Sequence, residues 1–459
     1  MSAVQPTLIP PNMSRLADCV EDVRLAAGDT DPGPVDPLQY AALIERLEAA
    51  RQELPPLYID ALFEPYLAAL QRLGQAGFTN ILTRDPKREG LARIMLDIAQ
   101  AVLQNGEEFA KRAGEGFSEI VGDLYDGFLS AEDRRGVEPP DESVVAPMVK
   151  FGRPEVGPYT LPVDATSVFG VHCGILNLPP ANARRGLLAW AALGHETAGH
   201  DILHADAGLR REAADAVEAA LTRASVSPDL PGYWVERIDE AASDVLGVLN
   251  MGPAAGVALV GYFRGLNAAF TGVAKLRSEG PADDPHPADV LRGFLAAAAV
   301  RLLTFSSAPA WSKAIDTETQ NDANNITIAG NPISLQDAHV SAEIVARSII
   351  LTRMRGLENR TLGSIQNWRN GDEATVARLR RSLASGEPVE RLGNGVYAAH
   401  VVAAALTATV AGLATVEVIF GRMLAMLQSM HEVNPSWSPL PVRHPGSLAV
   451  HRAYIYPGP

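Results

Sequence analysis

The sequence predicts a mainly α protein with a small antiparallel or mixed β-sheet, an α+β chain. Two observations carry that expectation. Apolar residues recur at helical spacing over most of the 459 residues. One proline-broken stretch, Asp133 to Pro180, instead holds short β-prone runs. With 47% apolar and 20% charged residues the composition is that of a folded globular chain. The length exceeds one small core, so three regions are expected: a helical lobe over 1–135, a core with the sheet over 136–310, and a helical lobe over 311–459.

In the first region, Leu43, Ile44 and Leu47 follow Pro37, and Leu62, Tyr66, Leu67 and Leu70 follow Pro56. A third helical pattern follows Pro86, with Leu91, Ile94, Met95, Ile98 and Val102. Proline near each start fits the first turn of a helix. The β-prone runs are Val144-Val145, Met148 to Phe151, Tyr159 to Val163 and Val168 to Leu178, separated by Pro147, Pro154, Pro158 and Pro162 behind Pro139-Pro140. After Pro179-Pro180 the pattern is helical to about Met430. The exception is Ile326 to Leu335, which reads as a hairpin turning at Gly330-Asn331. The tail from Asn434 is proline-rich.

Two uncharged stretches, Asp244 to Arg264 and His400 to Glu417, read as buried helices and not as membrane spans. No leader pattern opens the chain, so a cytoplasmic location is expected. Thirty-nine basic against 54 acidic side chains give −15, which argues against a nucleic-acid partner. Cys19 and Cys173 are too few for a disulfide framework or a thiolate metal site and read as buried thiols. Any metal must be held by His and carboxylates.

The informative segment is His195-Glu196-Thr197-Ala198-Gly199-His200. Two imidazoles on one ion, with a carboxylate beside them to take a proton from metal-bound water, are what a zinc hydrolase needs. The helical solution His-Glu-x-x-His works because residues four apart share a face. Here the histidines are five apart, roughly 140° from each other on a regular helix of ~3.6 residues per turn. A single π-turn absorbs the extra residue, and Gly199 eases the distortion. A rival register, His200-Asp201-Ile202-Leu203-His204, needs no bulge, but Asp201 is short for a general base. The first pair is favoured, with His204 left as a supporting residue or a polar residue at the helix end.

A third ligand is offered by Trp234 to Leu249, where Glu236, Glu240 and Asp244 fall on one helical stripe. Like charges so placed repel unless a cation lies opposite. Glu240 is the expected ligand, with Asp244 fixing the tautomer of a ligand histidine. Glu236 ligating with Glu240 in support is the next option.

This pattern resembles the gluzincin metallopeptidases, and its longer spacing is similar to the His-Glu-x-x-x-His motif of the dipeptidyl peptidase III family. In that family a Glu-Glu-x-x-x-acid element supplies the third ligand and its support. Asp239-Glu240-Ala-Ala-Ser-Asp244 matches that shape with Asp at its first position. The resemblance spans roughly residues 190–250. It implies a zincin-like catalytic core within 136–310 and one Zn²⁺ per chain. It also implies an edge strand ahead of the metal helix, here Gly170 to Leu178, to which extended substrate would pair, with a plain core strand as the alternative. Asp284-Pro-His286-Pro-Ala-Asp-Val-Leu-Arg292 resembles a His-Pro segment followed by Arg near the site of several zinc peptidases.

The expected function is therefore zinc-dependent hydrolysis of an amide, in a peptide or small amide substrate, with Glu196 as general base. An oxyanion partner is also needed, and Tyr397 and His400 are the candidates, with His431, His339 and Tyr233 competing. His172 reads as a core or cleft histidine in a strand. A metal enzyme of another substrate, a peptide-modifying enzyme and a non-catalytic scaffold are the alternatives.

Overall fold

A computed structural model describes residues 10–130, 145–205, 207–365, 367–387 and 396–433. Pro139-Pro140, Val144 and the proline-rich tail lie outside the described residues. The chain is mainly helical with two small sheets. Its longer helices are α1 (Leu16–Ala27), α2 (Tyr40–Ala50), α3 (Glu64–Arg84), α4 (Leu91–Gly106) and α5 (Lys111–Ser130). After the first sheet come α6 (Leu187–His195), α7 (Leu209–Thr222), α8 (Ile238–Met251), α9 (Pro253–Thr271) and α10 (Asp289–Arg301). The last are α11 (Ala308–Asp322), α12 (Leu335–Leu351), α13 (Asn370–Ser385), α14 (Ala398–Val410) and α15 (Val416–Glu432).

The local chemistry explains several ends. α9 follows α8 directly, because Gly252 at φ 60° reverses the chain and Pro253 opens the next first turn. The Ser334 and Thr415 hydroxyls accept the backbone N–H groups of Asp337 and Val418 and so cap α12 and α15. Both uncharged stretches are helical, the first as the end of α8 and most of α9, the second chiefly as the fully buried α14. No described helix is long and apolar enough to cross a membrane.

The first sheet holds β1 (Met148–Phe151), β2 (Tyr159–Leu161) and β3 (Ile175–Leu178) in the order β1-β3-β2, parallel then antiparallel. This is the expected mixed sheet, with two corrections. Val168 to Gly174 is not strand: Ser167–Phe169 is a tight helical turn stopped by Gly170 at φ 75°. The strand ahead of the metal helix, β3, is central and not an edge, so it offers no free side to a substrate; β2 holds an edge. His172 is exposed and outside any strand, its N–H donating to the Ala61 carbonyl. The second sheet holds β4 (Glu279–Gly280), β5 (Thr327–Ile328) and β6 (Asn331–Pro332). Its hairpin turns at Ala329-Gly330, one residue earlier than expected, with positive φ at both turn residues. β4 pairs with it from a distant part of the chain.

Two hydrophobic clusters organise the core. The smaller joins α2, α3 and α4 to one face of the first sheet, through residues such as Leu62, Met95 and Ile175. The larger runs from Leu16 to Met430 and encloses α6, α8 and α10. Thus α1 and α5, from the first expected lobe, and α14 and α15, from the last, are built into the core that carries the site. Trp190 backs α6 as its position suggested, packed against Phe117 of α5 and Phe420 of α15.

A candidate metal centre

The expected bulge is present. α6 ends at His195, and Glu196–Asp201 forms a π-helix before Ile202–Ala205 resumes the α geometry. The wider turn brings the His195 and His200 rings edge to face, with centroids 4.7 Å apart. Glycine does more than ease this turn. A Cβ on Gly199 would stand 2.4 Å from Ser243 Cβ, and one on Gly194 would stand 3.3 Å from Gly247 Cα. Small residues on both helices therefore let α6 and its π-turn lie against α8. That close crossing is what carries Glu240 and Asp244 to the histidines.

His195 Nε2 lies 3.4 Å from Glu240 Oε2, and His200 Nε2 lies 3.4 Å from Glu240 Oε1. One ligand atom from each of the three residues falls within 4.8 Å of the others. Tetrahedral zinc ligands at ~2.0–2.2 Å from the ion stand about 3.3–3.5 Å apart. Glu240 Oε2 is buried and makes no well-formed hydrogen bond. The three residues are close enough together to hold a metal ion.

The surroundings fix these groups. His195 Nδ1 lies 2.9 Å from Asp244 Oδ1, which leaves Nε2 facing Glu240. Arg292 of α10 forks onto Asp244, Nε to Oδ2 at 2.7 Å and Nη2 to Oδ1 at 2.8 Å, and its Nη2 lies 3.3 Å from Glu240 Oε2. The segment ending in Arg292 thus reaches the site, and His286 comes with it. His286 Nε2 stands 3.4 Å from Glu240 Oε1, while Asp284 Oδ1 holds its Nδ1 at 3.0 Å. Glu196 is buried, and Thr160 of β2 donates from Oγ1 to its Oε2 at 2.7 Å. Among the described residues its Oε1 has no hydrogen bond. So β2, not β3, borders the site.

Burial disfavours charge throughout this cluster, and the contacts override it. At His195 the Asp244 and Glu240 carboxylates outweigh burial and raise the pKa. At His200 burial loses to Asp239 and Glu240, and the pKa rises well above its ordinary value. Glu240 is held well below the usual carboxylate range by the two imidazoles and Arg292, again against burial. The site attracts positive charge, whether protons or a metal ion.

The remaining expectations divide. His204 supports from the side, with Nε2 3.2 Å from Asp239 Oδ2 and Nδ1 3.1 Å from Asp164 Oδ2. His204 Nε2 and His200 Nδ1 both approach Asp239 Oδ2, at 3.2 and 3.5 Å, but among the described residues the ligand atoms that cluster closely enough to hold a metal are those of His195, His200 and Glu240. Asp201 is fully buried outside the cleft, burial pushing its pKa up to about 7, and the rival register has no base. Glu236 is exposed beside Arg237 and does not join the cluster.

Tyr397 and His400 are corrected as well. His400 Nε2 binds Asp372 at 2.9 Å beside Trp368, and neither residue lines the cleft. His431, His339 and Tyr233 are also outside it. Tyr233 instead accepts the Ala288 N–H and props the segment that carries His286. Sequence reasoning missed Tyr262. It lines the cleft, and burial together with the nearby Glu196 carboxylate raises its pKa. A hydroxyl-bearing ring at the end of the uncharged stretch Pro253 to Phe263 was the available signal.

The cluster lies in a cleft of about 680 Å³ walled by α1, α6, α8, α9 and the segment around β2. No protein-family model matches the chain, and neither the curated proteins nor the solved structures hold a significant match to it.

Proposed function

We propose that the chain is a zinc-dependent hydrolase of amide bonds, with peptides or small amides as substrates. The observation that carries this reading is that His195 Nε2 and His200 Nε2 each lie 3.4 Å from an oxygen of the Glu240 carboxylate, with one ligand atom of each of the three within 4.8 Å of the others, beside a buried Glu196. A zinc ion held by these residues would supply a water of near-neutral pKa and polarise the carbonyl of the substrate. Thr160 anchors Glu196 Oε2, so Oε1 is the atom available to take a proton and return it to the leaving amine. The Tyr262 phenol and the His286 imidazole line the same cleft, which supports them as the candidate donors to a developing oxyanion.

Glu196→Gln preserves shape and removes the base. Turnover should fall about 10²–10⁴-fold with metal content unchanged at one zinc per chain by elemental analysis. Hydrolysis at the wild-type rate by this variant would overturn the mechanism.

One observation favours a second reading. Arg292 already gives both Glu240 and Asp244 a cationic partner, as a purely structural ion cluster would require. A chain that takes up no zinc and keeps its thermal stability after dialysis against chelator would support that reading.

A further inference from the structure

Resting on the hydrolase reading, we propose that the cleft selects amides bearing a bulky, uncharged apolar group, an aromatic or branched aliphatic side chain, beside the bond attacked. The cleft does not end at the histidines. It has an apolar side, the channel, lined by Ala26 of α1, Ala192 of α6 and Ala255, Leu259, Phe263 and Leu266 of α9. The alanines give the channel its width, and the larger side chains give it apolar walls. Phe263 also ties the channel to the centre, since the Arg292 guanidinium lies over its ring at 4.6 Å. Of the lining residues, Phe270 is 71% exposed and Val156 42% exposed, apolar surface facing water that an apolar occupant would cover.

Charge narrows the choice further. Among the described residues, the cations of Lys or Arg type lining the cleft are Arg277 and Arg292. Arg277 is engaged by Asp284 and Arg292 by Asp244 and Glu240, so neither is left for a substrate carboxylate. Glu155, Asp239 and Asp284 line the same space and would repel one. A polar or anionic group pushed among these alanines, leucines and Phe263 would lose water that their side chains cannot replace. An aromatic side chain would instead remove about 150–250 Å² from water.

Binding tests this apart from catalysis. The N-acetyl amides of phenylalanine, leucine, glycine and aspartate are titrated into the full chain, with and without zinc, by calorimetry. Phenylalanine and leucine amides should bind at least tenfold tighter than the glycine amide, and the aspartate amide weakest. Ala255→Phe, which fills the channel, should cut the phenylalanine-to-glycine ratio at least tenfold. Should that variant fail to fold, Phe270→Ser, at the exposed lining residue, should reduce the same ratio several-fold.

Equal binding of the four amides, or a preference for aspartate, overturns the proposal. Where amides are cleaved but kcat/KM is indifferent to the side chain, the hydrolase reading stands and the channel assignment falls. Where nothing is cleaved and no zinc is bound, yet the phenylalanine amide binds and Ala255→Phe weakens it, the channel stands alone.

Discussion

Asp244 shows how a side chain outside the ligand set can orient the groups within it. It sets the His195 tautomer through Oδ1 and receives the Arg292 fork, while only 4% exposed. Asp244→Asn keeps the volume but offers an amide to Nδ1 and leaves a buried guanidinium half-paired. Zinc affinity should fall about 10–100-fold in a competitive chelator titration, the usual cost of losing such support. The five residues that make this centre were legible because two helical repeats fix them: the His-Glu-x-x-x-His spacing and the acidic stripe of α8. Tyr397 and His400 were not assignable by that logic, since an oxyanion partner is chosen by tertiary approach and leaves no spacing to read. His400 was drawn to Asp372 instead. The same limit hid Tyr262, whose relation to Glu196 exists only once α9 lies beside the π-turn.

At the scale of elements, the contact between the π-turn and α8 is the sensitive one. Gly199→Ala would place a methyl carbon 2.4 Å from Ser243 Cβ, so the two segments must separate. Overpacking of this kind costs about 1–3 kcal/mol, and a lowered Tm together with weakened zinc binding should report both consequences. The π-turn itself was foreseeable because an α-helix cannot bring residues five apart to one ion. The strand edge was not, because sheet order is set by pairing partners far apart in sequence and a short run does not reveal whether it lies in the middle.

A second element contact has a pH signature. Glu373, in the first turn of α13, is 4% exposed and accepts from Trp368 Nε1, and burial pushes its pKa from the ordinary 4.5 up to about 7. Between those values the folded chain holds a proton that the unfolded chain has released. Its contribution is therefore full below about 4.5 and is lost as pH rises through about 7. The difference amounts to at most ~3 kcal/mol. Glu373→Gln should flatten the fall in Tm across that window, measured by Trp fluorescence on heating.

For the whole molecule, the question is whether the site-bearing region stands by itself. Sequence texture marks a boundary near residue 135 and another near 310, because the proline-rich stretch and the hairpin interrupt helical periodicity. Packing does not respect those limits. The back of α6 is covered by Phe117 from α5 and Phe420 from α15, and the cleft wall includes Ala26 from α1. The Arg15 N–H donates to the Val410 carbonyl, so the start of α1 is tied to the end of α14. A fragment of residues 136–310 would leave Trp190 without either ring and expose the apolar faces of α6 and α9. Uncovering such side chains costs about 1.5–3 kcal/mol each, against a total stability of roughly 5–15 kcal/mol for a domain. The fragment should therefore show no cooperative thermal transition by circular dichroism and be degraded rapidly by protease under conditions in which the full chain resists. A sharp transition with zinc bound would mean that the metal centre, and not the enclosing helices, supplies the stability of this core.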